Sequence, residues 1–412
     1  MKRGEKIVIT GMGVISPLGH TVKDFWNNLL SGKCGIKKIK SFDTSDLPTQ
    51  IAGEIDDFNP LLYMDKKMAK RSARVTKFAL ASAQQAIKSA ELEVNDDNRF
   101  RIGVYVASGT CSFSDYEKAV VDEYINGWEK MRAFMTIQDC YHSMAFTIAC
   151  HYQITGPTIT ISTACNSSSH ALEIATDQIR LHKVDKALVI GSETLSEFVF
   201  KGFCKTRAMS IRNTAPLEAS RPFDRDRDGF VVSEGAGSII LEREKEARKR
   251  GATLYAEVAG CASTNDAYSL LCCEPTGQQM SHAMIMALRE AQIDKEKIAY
   301  ISAHGPGMPD TDRAETYGIK RVFGDWAQKL NVSSIKGTLG SPIGATNIFQ
   351  IIASSLAINE QVIPPTINYN TPDPECDLDY VPWNARDIDL SYVLINSHAY
   401  GGGNSSVVLA MM

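Results

Sequence analysis

The residues best suited to chemistry stand in the run Gly156-Pro-Thr-Ile-Thr-Ile-Ser-Thr-Ala-Cys165-Asn-Ser-Ser-Ser-His170. Thr158 to Ser162 alternates β-branched with short polar residues, as a strand does. Ala171, Leu172, Ile174, Ala175 and Ile179 recur at helical spacing, which predicts a helix from Ser167 to His182. Cys165 falls on the turn between them. A thiol there meets the unpaired N–H groups and the dipole of a helix start, which favour the thiolate. A strand–turn–helix also lifts the side chain clear of the sheet, as in a nucleophile elbow. A nucleophile is therefore one reading of Cys165, and a buried structural cysteine is the other.

The surrounding pattern says what must position this turn. Strands are expected at Lys6–Ser16, Arg101–Ser108, Lys186–Gly191 and Ser238–Leu241, with helices at Val22–Ser31 and Asp65–Ala90. From Thr253 the pattern restarts. Strands at 254–263, 298–303, 332–336, 391–395 and 406–410 enclose helices at 281–291, 312–322 and 344–359. Alternating strands and helices imply parallel sheets covered by helices. The similar order suggests a duplicated α/β unit, with halves 1–250 and 251–412. Active sites in such folds gather at the carboxyl ends of strands. Two further polar turns qualify, His304-Gly305 and Lys336 to Ser341.

Composition narrows the class. The chain has 412 residues, 44% hydrophobic and 22% charged, as globular proteins have. A net charge of −4 gives no basic field for nucleic acid. No apolar run reaches the ~18 residues a membrane span needs. The N-terminus lacks the apolar core of a signal peptide. The ten cysteines are scattered without paired CxxC spacing, which argues against zinc and for a reducing, cytoplasmic setting. Asp224, Asp226 and Asp228 alternate like a calcium loop, but Gly235 stands where such a loop needs glutamate.

Several motifs together resemble the β-ketoacyl-acyl carrier protein synthases, in the branch that elongates fatty acyl and polyketide chains. They are Ile9-Thr-Gly-Met-Gly-Val-Ile-Ser-Pro-Leu-Gly19, Thr163-Ala-Cys165, Arg221-Pro-Phe-Asp224, Asp228-Gly-Phe230, Glu234-Gly-Ala-Gly237, Ala303-His-Gly305, Asp312 with Glu315, Ser333-Ser-Ile-Lys336, and Asn396-Ser397 with Gly401-Gly402 and Asn404. They occur in order over essentially the whole chain. The resemblance implies the thiolase fold, two pseudo-repeated α/β halves in a five-layer αβαβα core, normally dimeric. It implies that Cys165 takes an acyl group from a carrier thioester, and that a malonyl thioester then loses CO2 and attacks it. Cys165 N–H and Tyr400 N–H would form the oxyanion hole. His304 would polarise the malonyl thioester, and Lys336 with Glu315 would make a supporting ion pair. For His304 alone, a structural histidine is the other reading. No bound cofactor is implied beyond the phosphopantetheine arm of acyl carrier protein. Lys66, Lys67, Lys70, Arg71 and Arg207 would dock that acidic carrier, although a solvated basic face is the plainer reading.

The chain also departs from the family. The second histidine should follow Gly340, where Ser341 stands; a hydroxyl is shorter than imidazole and cannot carry positive charge. Pro306 and Met308 occupy the places of two threonines that hold the pantetheine amides. The gate reads His398-Ala399-Tyr400, where the family favours Phe-Gly-Phe. His398 is too far from Ser341 in sequence to be given the lost role. Three functions stay open: a condensing enzyme with a Cys-His-Ser site, a chain-length-factor-like partner in a ketosynthase heterodimer, or an acyltransferase without decarboxylation. A homodimer or heterodimer is expected.

Overall fold

The computed structural model describes residues 5–131, 135–138 and 140–412. Five strands come first: β1 (Ile7–Ile15), β2 (Ile102–Ala107), β3 (Thr158–Ile161), β4 (Lys186–Glu193) and β5 (Gly235–Arg243). They lie in the order β3-β2-β4-β5-β1. β2 is parallel to β3 and β4, and β5 is antiparallel to β4 and β1. Five more follow: β6 (Ala256–Asn265), β7 (Tyr300–Ser302), β8 (Asn331–Ser333), β9 (Tyr392–His398) and β10 (Gly403–Ala410). Their order, β8-β7-β9-β10-β6, repeats the first set strand for strand, with the same directions. β1 meets β6 only at Val8–Glu257 and Ile9–Ala256, which joins both sets into one sheet.

Helices fill three layers around these strands. On one outer face α1 (Arg74–Ser89) packs on β1 and β5; on the other α3 (Gln278–Ala291) packs on β6 and β10. Between the two sets lie α2 (Ser167–Arg180) and, further along the chain, α5 (Thr346–Glu360), with α4 (Pro309–Phe323) running beside α3. α5 is buried on every side from Thr346 to Ile358, as a helix in a central layer must be. Its Ile348, Phe349, Ile351 and Ile352 share a cluster with Ala171, Leu172 and Ile179 of α2. Each large apolar side chain buried there contributes about 1.5–3 kcal/mol. The five-layer α/β thiolase fold is thus present.

Two departures from the expected elements bear on the site and its surroundings. The helix expected over 65–90 divides into Lys66–Arg71 and α1, because Ser72 and Ala73 are extended. Arg74 causes the break. Its guanidinium turns inward to buried Glu234 (Nη2–Oε1 2.6 Å), and its backbone N–H donates to Asp115 Oδ2 at 3.1 Å, capping a new helix. The strand expected to reach Lys336 stops at Ser333, and Lys336–Leu339 forms a helical turn.

Candidate active site

The Cys165 turn is held by its own backbone. Ala164 adopts φ +52°, a left-handed conformation that costs a residue with a Cβ ~1–2 kcal/mol. Ser167 Oγ accepts from Thr163 N–H at 2.9 Å and donates to Ala164 O at 2.7 Å, which fixes the turn. Cys165 thereby enters a cavity of ≈ 390 Å³ that His304, Ser341, His398 and Tyr400 also line. The N–H groups of Cys165 and Tyr400 both donate toward the thiol. These are the two groups expected to form the oxyanion hole. The expectation of a resting thiolate is corrected. Burial pushes the thiol up to about 11; Lys336 and the two N–H groups pull it down, and Glu193 pushes it further up. Desolvation outweighs Lys336 and the two amides, so the thiol is harder to ionise than a free cysteine.

His304 sits where β7 gives way to α4. Its N–H and that of Gly305 donate to Glu315 at 2.9 and 2.8 Å. Lys336 Nζ donates to the His304 carbonyl oxygen. Burial drops Lys336 to about 8, while Glu315, Cys165 and Asp312 support its charge. The ion pair expected between Lys336 and Glu315 is not a contact. The side chain facing Glu315 is His398, with Nε2 3.6 Å from Oε1. Burial, then Lys336 and His398, hold His304 well below the usual imidazole range, so its ring is neutral near pH 7.

Ser341 does line the cavity. Its N–H donates to Val231 O at 2.7 Å, and its carbonyl accepts from Ser233 N–H at 3.0 Å. Ile343 follows with φ +35°, an outlier for a β-branched residue. Gly344 is required for space: a Cβ there would lie 2.2 Å from Gly109 N. Pro306 and Met308 line the same cavity, and Tyr400 Oη reaches Met308 Sδ at 3.8 Å. Tyr400 also packs against Phe203, ring centroids 5.9 Å apart.

Two residues of this site escaped the sequence reading. Glu193, at the end of β4, accepts from Gly109 N–H (2.7 Å), Thr110 N–H (3.0 Å) and Gly344 N–H (3.0 Å). In sequence it reads only as a strand-end carboxylate. His398, dismissed for its distance along the chain, ends β9 beside His304, with ring centroids 5.4 Å apart.

The docking residues separate. Arg207 terminates the helix Glu197–Thr206, whose Phe203 and Thr206 line the cavity. It lines a second cavity with Lys201 and Lys205. Lys66, Lys67, Lys70 and Arg71 are exposed, but their helix rests Met68 and Ala69 on the α1 side, and none of the four lines the cavity. Among the described residues no His, Cys, Asp and Glu side chains group as metal ligands, and no helix is long and apolar enough to cross a membrane.

A doubled five-strand pattern with a strained cysteine turn under two amide donors defines a thiolase-fold acyltransferase. Residues 4–247 match the β-ketoacyl synthase N-terminal domain and residues 255–370 its C-terminal domain. The chain belongs to the β-ketoacyl synthase family. It is 40% identical over 406 residues to 3-oxoacyl-(acyl-carrier-protein) synthase 2 of Coxiella burnetii, covering 98% of each chain. It is 38% identical over 404 residues to the protein of that name from Synechocystis, covering 97% of this chain and 96% of that one. Among solved structures it is similar to a type II PKS ketosynthase in complex with its acyl-carrier protein (TM-score 0.91, 31% identity, 99% and 100% covered). It is also similar to the ishigamide ketosynthase/chain length factor (TM-score 0.92, 31% identity, 99% and 100% covered).

Proposed function

We propose that this protein is a β-ketoacyl-acyl carrier protein synthase, acting in fatty acid or polyketide synthesis. The observation that carries this is the Cys165 thiol lying beneath the N–H groups of Cys165 and Tyr400 in one cavity with His304. In the first half-reaction the Cys165 sulfur bonds the acyl carbonyl carbon of an acyl carrier protein thioester. The two N–H groups hold the oxyanion, the pantetheine C–S bond breaks, and the thiol proton leaves with the pantetheine sulfur. Lys336 would favour the thiolate as it forms. In the second, malonyl-acyl carrier protein loses CO2, and the enolate carbon bonds the acyl carbon on Cys165. The tetrahedral oxyanion then collapses, and the expelled thiolate takes up one proton. His304, as neutral imidazole, would donate to the malonyl thioester oxygen while the enolate forms.

The halves 1–250 and 251–412 would act as one unit, the first supplying Cys165 and the second His304 and Lys336. Arg207, with Lys201 and Lys205 beside it, would meet the carrier at the cavity mouth, and Lys66, Lys67, Lys70 and Arg71 would steer it. A cytoplasmic setting suits a carrier-borne substrate and ten free thiols. A dimer with β3 at its centre fits the exposed edge of that strand, where Ile159 is 39% exposed. A second reading has one observation in its favour. Ser341, Pro306 and Met308 weaken the extender side, which suits a chain-length-factor-like partner in a ketosynthase heterodimer.

The test is product formation from acyl- and malonyl-acyl carrier proteins. A β-ketoacyl product from the protein alone supports the synthase. Product only after a second ketosynthase is added supports the partner, and acyl transfer without CO2 release supports a non-decarboxylating acyltransferase.

A further inference from the structure

The extender side is short of one imidazole if only the Ser341 turn is considered, but the cavity holds a second ring. This inference rests on the condensing reading above. His398 closes β9 and places Nδ1 2.9 Å from Asn404 Oδ1. The Asn404 amide is oriented by its other end, since Nδ2 donates to Asp266 Oδ1 at 2.7 Å and to Gly402 O at 3.2 Å. Oδ1 must therefore accept, and the hydrogen-bond network assigns a proton to His398 Nδ1.

That leaves Nε2. It is buried without a hydrogen bond and faces Glu315 Oε1 at 3.6 Å. The side chains of His398 and Glu315 are 3% and 0% exposed. Burial alone would raise the Glu315 carboxyl; His398 and the Gly305 and His304 amides outweigh it and hold it below the usual carboxylate range. With Nδ1 donating to Asn404 and Nε2 facing the Glu315 carboxylate, both ring nitrogens of His398 meet acceptors and the ring is fixed beside His304. His304, edge-on to it at an interplanar angle of 72°, is built for the neutral form. The two rings thus line one wall of the cavity together.

We propose that His398, paired with Glu315 and Asn404, is the second imidazole of this active site. Its fixed ring beside His304 stabilises the malonyl thioester oxygen as the enolate forms, in the place the shorter Ser341 hydroxyl leaves open. The electron pair of the broken C–COO bond passes into the enolate, CO2 leaves, and the pair then forms the new C–C bond.

The experiment compares wild type, His398→Phe, His398→Gln, and His398→Phe combined with Ser341→His. Acyl uptake on Cys165 is read by intact mass, and malonyl-acyl carrier protein decarboxylation by CO2 release. Losing one electrostatic stabiliser of this kind costs ~10²–10³ in rate. Both single variants should lose about 10²-fold in CO2 release and far less in acyl uptake. Ser341→His should restore at least about tenfold, because it returns an imidazole to the cavity from the other side. Single variants that release CO2 within about threefold of wild type would overturn the proposal, as would equal losses in both half-reactions. A wild-type protein that loads Cys165 but releases no CO2 overturns the condensing reading itself, and the role of His398 falls with it.

Discussion

Glu193 and Gly344 are tied across the molecule: the carboxylate at the end of β4 accepts the Gly344 N–H at 3.0 Å, in the turn that carries Ser341. The same carboxylate accepts from Gly109 and Thr110, so one buried acid holds three amides from two separate turns. Removing it leaves buried donors unpaired at ~1–3 kcal/mol each. Glu193→Ala should therefore cost roughly 3–9 kcal/mol by urea unfolding, with the m-value unchanged. Glu193→Gln, which still accepts, should cost less than half as much. Equal and small losses in both variants would remove Glu193 from the account.

The Cys165 thiol should be slow toward alkylation near neutral pH. Its pKa is about 11, because burial outweighs Lys336 and the two amides. Iodoacetamide should label exposed Cys140, Cys150 and Cys272 first. The Cys165 rate should then climb about tenfold per pH unit between pH 7 and 10, as the thiolate fraction does. A Cys165 rate independent of pH over that range would mean a preformed thiolate.

Stability against pH carries a second signature of the same pocket. Lys336 falls from 10.5 to about 8, so the unfolded chain binds more protons between those values. Stability from this group therefore rises with pH across that window. Cys165 is raised from 9.0 to about 11, so the folded state holds more protons and its contribution falls over that range. Above pH 9 the two oppose. Cys165→Ala removes the second and should leave a protein whose stability, relative to wild type, grows between pH 9 and 10.5. Parallel curves for the two proteins would contradict the Cys165 assignment.

Much of the site could be read from the chain before the structure. Strand and helix alternation located the Cys165, His304 and Lys336 turns, because each lies at a strand end and local periodicity marks such ends. What escaped is set by pairing between distant segments. His398 reaches His304 only because β9 lies beside β7, with Val393 opposite Tyr300, and no local pattern encodes that neighbourhood. Glu193 looks like any strand-end carboxylate until the Gly344 turn folds over it. The break at Ser72 depends on Arg74 finding Glu234, which stands 160 positions away. The thiolate expectation failed for a related reason. A helix start can be read locally, but the burial that outweighs it is a property of the whole fold.

The edge of β3 should be covered in solution. Ile159 on β3 is 39% exposed, and Phe146, on the helix that packs beside it, is 50% exposed. Light scattering at micromolar concentration should give the mass of a dimer. Thr160→Pro, which removes an N–H on the outward side of this edge strand, should shift the mass toward monomer. A wild-type monomer would contradict the proposed assembly.

The most direct test of the central claim follows one acyl group through Cys165. The protein is loaded from acyl-acyl carrier protein, digested, and the modified peptide identified by mass spectrometry; malonyl-acyl carrier protein is then added. The account predicts acyl on the Cys165 peptide, none in Cys165→Ala, and loss of the label as a β-ketoacyl product two carbons longer appears. Acyl found elsewhere, or a Cys165 thioester that stays unchanged in the presence of malonyl-acyl carrier protein, would contradict it.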